Sequence, residues 1–295
     1  MTEYKEHNPF SNTNMIAFTT SAGFFNDKTI PSRFVLFLST SLLLLTDCNK
    51  VPVTGRSQLN FIPNSEMQSM SYTNYKQFLT ENKLSADAAN TAMVKRAGQR
   101  IQHAVEQYMA QNNLSSQLNG FNWEFNLVES NEVNAWCMPG GKVVVYTGIL
   151  PVVQNETGLA VVMGHEIAHA IANHGSERMS QQLAIQTGGT VLSTALAQKP
   201  ALTQQIFLQA YNVGSNVGVL LPYSRLQESE ADHLGLIFMA MAGYNPNQAV
   251  DFWQRMKAQG GGKPSELLST HPSDDRRIAD IQKRMPEAMK YYKPQ

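Results

Sequence analysis

The chain has 295 residues, 23 basic and 23 acidic side chains, zero formal net charge and 42% apolar residues. That balance excludes a surface that holds polyanions by bulk charge, so nucleic acid is not an expected partner. The length allows one sizeable buried core, and two cysteines are too few for a disulfide framework.

In chain order, the first 30 residues are polar and without pattern, and residues 34–45 form an uncharged apolar run behind Lys28 and Arg33. Such a run falls short of the about 20 residues that cross a bilayer, and reads as the centre of an export signal. Leu45-Thr46-Asp47-Cys48 reads as a bacterial lipidation box, with Asp47 where a small residue is usual, which makes Cys48 the expected lipid anchor. Residues 1–47 are therefore assigned to an N-terminal extension and signal, 48–64 to a lipid-attachment and linker segment, and 65–290 to a single catalytic domain.

Glu66–Glu81 and Ala88–Gln111 have helical periodicity, the second with Met93, Ala97, Ile101 and Val105 on one stripe. Residues 121–127 alternate apolar and polar and predict a strand, Gly140-Gly141 predict a turn, and Lys142–Tyr146 predict another strand. Val143, Val144 and Val145 are the expected edge for an extended substrate, with an internal core strand as the alternative. Cys137 reads as a structural thiol.

The run His165-Glu166-Ile167-Ala168-His169 carries the chemistry. On a helix, positions i and i+4 share a face, so both imidazoles can hold one ion while Glu166 reaches a water beside it. The flanks are apolar and helix-forming, and Gly175 is the expected stop. A buried helix with two histidines and a carboxylate needs partners for them, and a metal supplies them. A third protein ligand completes a catalytic site. Arg225–Asp232 leads into Leu234, Ile237, Phe238 and Met241 at helical spacing, ending near Gly243 and Pro246. Glu228 is the expected third ligand and Asp232, on the same face, the acceptor for a ligand histidine. Arg225 is expected beside them, and Glu230, roughly on the opposite side, is expected to be solvated or paired with Arg225.

Further on, Ser269-Thr270-His271-Pro272 is a polar loop, and residues 246–258 and 274–285 are short helices joined through Gly260-Gly261-Gly262. Gln181–Tyr223 contains Lys199 as its single charge and reads either as two buried helices joined at Lys199-Pro200 or as an apolar flap facing a membrane or client. His174 is out of phase with the ligand face and reads as structural; His233 points away from it, and His7 and His103 have no metal-compatible neighbours.

These motifs resemble the gluzincin peptidases of the HtpX and CAAX prenyl protease family, in their periplasmic BepA/LoiP-like branch. The resemblance also takes in Val51-Pro-Val-Thr-Gly-Arg-Ser-Gln-Leu59, Asn134-Ala-Trp-Cys-Met-Pro-Gly-Gly141, Pro222-Tyr-Ser-Arg225, Thr270-His-Pro272 and Arg276-Arg-Ile278. It implies a zincin-like, mainly helical α+β domain with a small sheet, and one Zn²⁺ per chain held by His165, His169 and Glu228. It also implies that His271 approaches the metal as a removable fourth ligand or faces the oxyanion. The implied setting is a Gram-negative periplasm, on an outer-membrane-anchored lipoprotein that degrades misfolded or misassembled envelope proteins and works beside the outer-membrane assembly machinery.

Zinc with three protein ligands acidifies a water in its fourth position, and Glu166 is placed to take the proton and return it to the leaving amine. Two histidines and a carboxylate also suit non-haem iron, but an oxygenase has no use for a base wedged between its ligands. The alternative from another class is an assembly chaperone that keeps the metal and cuts little or nothing.

Overall fold

Asp87 caps the longest of the described helices, Ala88–Gln111, its side chain accepting a hydrogen bond from the Asn90 N–H. The computed structural model describes residues 50–187, 200–211, 223–259, 266–271 and 275–294. The signal, the lipidation box with Cys48, the Gly260-Gly261-Gly262 joint and most of 181–223 lie outside the described residues. In order, the helices are α1 (Asn64–Glu81), α2 (Ala88–Gln111), α3 (Leu150–Val153), α4 (Glu156–Ile171), α5 (His174–Thr187), α6 (Pro200–Ala210), α7 (Arg225–Met241), α8 (Gln248–Gln259), α9 (Glu266–Thr270) and α10 (Asp275–Ala288). The strands are β1 (Glu124–Val128), β2 (Ala135–Met138) and β3 (Lys142–Tyr146). The architecture is mainly helical with a small sheet, and none of the described helices is long and apolar enough to cross a membrane.

The sheet runs β1-β3-β2, with β1 parallel and β2 antiparallel to β3. β3 is therefore the central strand, and Val143, Val144 and Val145 cannot receive a substrate strand. Their backbone is taken on both edges, and helices cover both faces. Val143 and Val145 join the core built by α2, α4 and α7, whereas Val144 and Tyr146 join a second core with Trp136, Met179, Ile206 and Phe207. A strand buried on both faces reads as a continuous β-branched run, which is what Val-Val-Val is. β1 begins at Glu124 because the backbone N–H groups of Asn122 and Glu124 donate to the carbonyls of Gly140 and Gly141 in the β2–β3 turn. The described parts of 181–223 match the buried-helix reading: Leu183 on α5 packs with Ile206, Phe207 and Ala210 on α6.

α4 is capped by Asn155, whose side chain accepts from the Gly158 N–H, and it is buried from Gly158 to Ile171. It ends before the predicted stop. Asn173 takes the left-handed conformation with φ 55°, and Gly175 lies inside α5. Asparagine tolerates that conformation, and the early turn brings His174 back towards His169. α7 starts with a capping box in which Ser224 and Gln227 satisfy each other's backbone N–H. α4 and α7 cross at Gly164 and Gly235, where a Cβ on Gly235 would lie 3.0 Å from the His165 backbone nitrogen. Only two glycines let these backbones approach so closely.

Candidate metal centre

α4 supplies His165, Glu166 and His169, α7 supplies Glu228 and Asp232, and the residue after α9 is His271; all are buried. His165 Nε2 and His169 Nε2 are 3.1 Å apart. Glu228 reaches both, with Oε2 3.5 Å from His165 Nε2 and Oε1 3.3 Å from His169 Nε2. His271 Nδ1 stands 3.1 Å from His165 Nε2 and 2.8 Å from Glu228 Oε1. Ligand bonds of about 2.0–2.1 Å in a tetrahedron separate the ligand atoms by about 3.3 Å, so these four groups have the spacing of one coordination sphere.

The tautomers support the same conclusion. His165 Nδ1 lies 2.9 Å from Asp232 Oδ1, so it is the N–H side of the ring and Nε2 is left for the centre. His169 Nδ1 lies 2.9 Å from His174 Nδ1, and His174 Nε2 lies 3.1 Å from Glu230 Oε2. Glu230 is an ionised acceptor, its carboxyl held down to about 2: burial raises it, and the bonds from His174, Arg56 and Thr54 outweigh that. His174 therefore donates through Nε2 and accepts at Nδ1, which turns the His169 lone pair inward. Two inward lone pairs at 3.1 Å repel unless a positive charge sits between them. Without an ion a proton fills that part: burial and Arg277 push His165 down, but bonds to Asp232 and Glu228 lift it to about 9. Burial takes His169 well below its ordinary value.

Glu166 Oε1 is buried without a hydrogen bond, and His271 Nε2 is 3.5 Å away. Burial lifts the Glu166 carboxyl above the usual carboxylate range, against His271 and His165. Glu228 behaves oppositely: burial raises it, but His271, Arg277 and His165 take it well below the ordinary value. The two carboxylates are thus pushed apart, one towards proton exchange and the other towards permanent charge.

Two expectations are corrected here. Arg225 is exposed at the first turn of α7, and Glu230 is buried against Arg56, Thr54 and His174 rather than solvated beside Arg225. Arg277 takes the place given to Arg225. Its guanidinium donates to both Asp232 oxygens at 2.8 Å, lies 2.9 Å from Glu228 Oε2 and stacks 3.4 Å from the Trp253 ring centre. Sequence spacing could not reach it, although Arg276-Arg277-Ile278 was among the motifs. His174, read as merely structural, contacts His169 directly. His233 points away, bonded to Glu287 and Arg284.

Paired helix-borne histidines, a carboxylate from a second helix and an unsatisfied glutamate beside them define a zincin-type metallopeptidase centre. Residues 80–285 match the model of peptidase family M48, and the chain belongs to that family as a zinc metalloendopeptidase. It is 31% identical over 285 residues to the mitochondrial metalloendopeptidase OMA1 of Schizosaccharomyces pombe, covering 95% of this chain and 79% of that protein. With the human mitochondrial metalloendopeptidase OMA1 it shares 29% identity, over 87% of this chain and 48% of the other. With the beta-barrel assembly-enhancing protease of Escherichia coli the figure is 29%, over 55% of this chain and 34% of the other.

These similarities correct the location read from the N-terminus. Relatives matched over most of the chain are mitochondrial proteins, and the bacterial protease matches little more than half of it. A basic flank and a short apolar run do not by themselves separate a bacterial export signal from other leaders. The Gram-negative periplasm and the outer-membrane lipoprotein are withdrawn.

Proposed function

We propose that this enzyme is an endopeptidase of unfolded or misassembled proteins in the mitochondrion, with His165, His169 and Glu228 as the zinc ligands. The observation that carries this reading is the pair of inward Nε2 atoms at 3.1 Å, bridged by Glu228 and flanked by the unbonded Glu166 Oε1. When bound, zinc supplies Lewis acidity and an acidified water. Glu166 receives the proton at Oε1, and its raised affinity lets it return that proton to the leaving amine. Arg277 and Asp232 keep the His165 ring oriented while charge moves. His271, the residue after α9, stands against His165 and Glu228, and would have to leave that place before a substrate carbonyl could enter.

The substrate strand is β2 instead of β3. Among the described residues β2 pairs with β3 alone, and the buried residues Asn134–Cys137 lie beside Glu166, Tyr223 and His271. An extended peptide added along that edge passes the catalytic carboxylate, a mode that reads backbone and accepts unfolded chains of many sequences. Glu166→Gln tests the reading. Casein cleavage should fall by at least about 10²-fold while zinc content stays at that of the wild type. Cleavage that survives this substitution refutes Glu166 as the base, and an uncut client that is still bound and assembled favours a chaperone.

A further inference from the structure

Residues 50–62 form a strap that lies outside the residues matched by the family model and runs past the C-terminal end of α4, bonded to α5 and α7. Val51 and Ile62 are buried at its ends, and the Gln58 side chain donates to the Ala172 carbonyl, just past the end of α4. The Phe61 N–H donates to Ser180 Oγ at 3.1 Å. In the middle, Arg56 forks between two carboxylates from different helices. Nη1 lies 2.7 Å from Glu177 Oε1 on α5, and Nε and Nη2 lie 3.0 and 2.9 Å from Glu230 Oε1 and Oε2 on α7. Thr54 Oγ1 donates to Glu230 Oε1 at 2.7 Å. Glu230 then accepts from His174, and His174 accepts from His169.

We infer that Glu230 and His174 are positioning residues that aim the His169 lone pair at the ion, and that Arg56 of the strap holds them in place. The inference rests on the zinc-peptidase reading and adds to it a chain of contacts, Arg56–Glu230–His174–His169, that begins outside the catalytic helices. Glu230 serves both Arg56 and His174 at once. With the strap lifted, its charge has no guanidinium beside it, and the hydrogen bonds from Thr54 Oγ1, Arg56 Nε and Arg56 Nη2 are gone. His174 then has no fixed acceptor at Nε2, and either tautomer can form. In the wrong one, His174 Nδ1 carries a hydrogen and faces the Nδ1–H of His169. The strap thereby couples the segment that precedes the catalytic domain to the grip on the metal.

The test uses the full chain, stripped with a chelator and titrated with zinc against a chromophoric competitor, beside thermal unfolding of the zinc-free protein. His174→Phe keeps the ring's bulk and removes both nitrogens, and should weaken zinc binding by about 10–100-fold. His174→Gln offers an amide oxygen towards His169 and an amide N–H towards Glu230, and should restore binding to within about threefold of wild type. Arg56→Met should weaken binding by about tenfold, the low end of the same range, because it acts one contact further out. If His174→Phe does not fold, Glu230→Gln, which keeps the shape and removes the charge, should also lose about tenfold. Wild-type zinc affinity in His174→Phe, or in Glu230→Gln where His174→Phe does not fold, overturns the inference. So does an equal loss in His174→Gln and His174→Phe, which would mark the ring as packing alone. Failure of the wild type to bind zinc would instead overturn the reading of the site.

Discussion

Gly235→Ala should weaken the grip on the metal at a small net cost to the fold. An added Cβ would meet the His165 nitrogen at 3.0 Å and the Gly164 carbonyl carbon at 3.1 Å. Carbon contacts settle at about 3.5–4.0 Å, so α4 and α7 must part by about 0.5 Å. Overpacking of this kind costs about 1–3 kcal/mol, and replacing a mid-helix glycine returns about 1 kcal/mol, so the net loss is about 0–2 kcal/mol. Zinc sites tolerate about 0.2 Å in ligand distance, and Glu228 rides on α7 two turns from the contact, so zinc affinity should fall at least about tenfold. Chelator competition reads the affinity and thermal unfolding of the zinc-free protein reads the fold. Gly98→Ala, which drives a Cβ into the Phe125 ring away from the centre, is the control that should lower Tm and spare zinc binding. Unchanged zinc affinity in Gly235→Ala would mean that helix spacing does not set the site.

Three further outcomes are expected. Arg277→Met leaves Asp232 and Glu228 buried without their cation; the loss should be about 3–5 kcal/mol, seen as a Tm lower by roughly 10 °C or more, and Arg277→Lys should not restore it because a lysine cannot serve both carboxylates. Zinc affinity should climb with pH. His165 binds the ion only without its proton, so affinity rises about tenfold per pH unit up to about 9 and then levels, and calorimetry in buffers of different ionisation enthalpy should find about one proton released near pH 7. In a Cys48→Ser background, Cys137 should resist alkylation until the chain is denatured, because burial raises its thiol well above the ordinary value; rapid labelling of the native protein would contradict its placement in the core.

Local order carried much of this molecule. Ala88–Gln111 and Lys142–Tyr146 keep their predicted bounds, because a 3.6-residue stripe and a β-branched run report burial directly. His165, Glu166 and His169 were legible because one turn of helix sets their geometry, and Glu228 with Asp232 because the same i, i+4 rule applies on a second helix. The N-terminus misled the reading of location, since a short apolar run with a basic flank has no single destination.

What the tertiary structure alone decided is which distant groups meet. Neighbour order in the sheet made β3 internal and left β2 beside Glu166, a choice that alternation within one strand cannot express. Arg277 lies about fifty residues from the carboxylates it bridges, and Arg56 lies more than a hundred from its two. Their pairing arises where helices cross, through burial that forbids an unpaired charge. Periodicity along a chain encodes which face is buried; only the packed helices determine what that face touches.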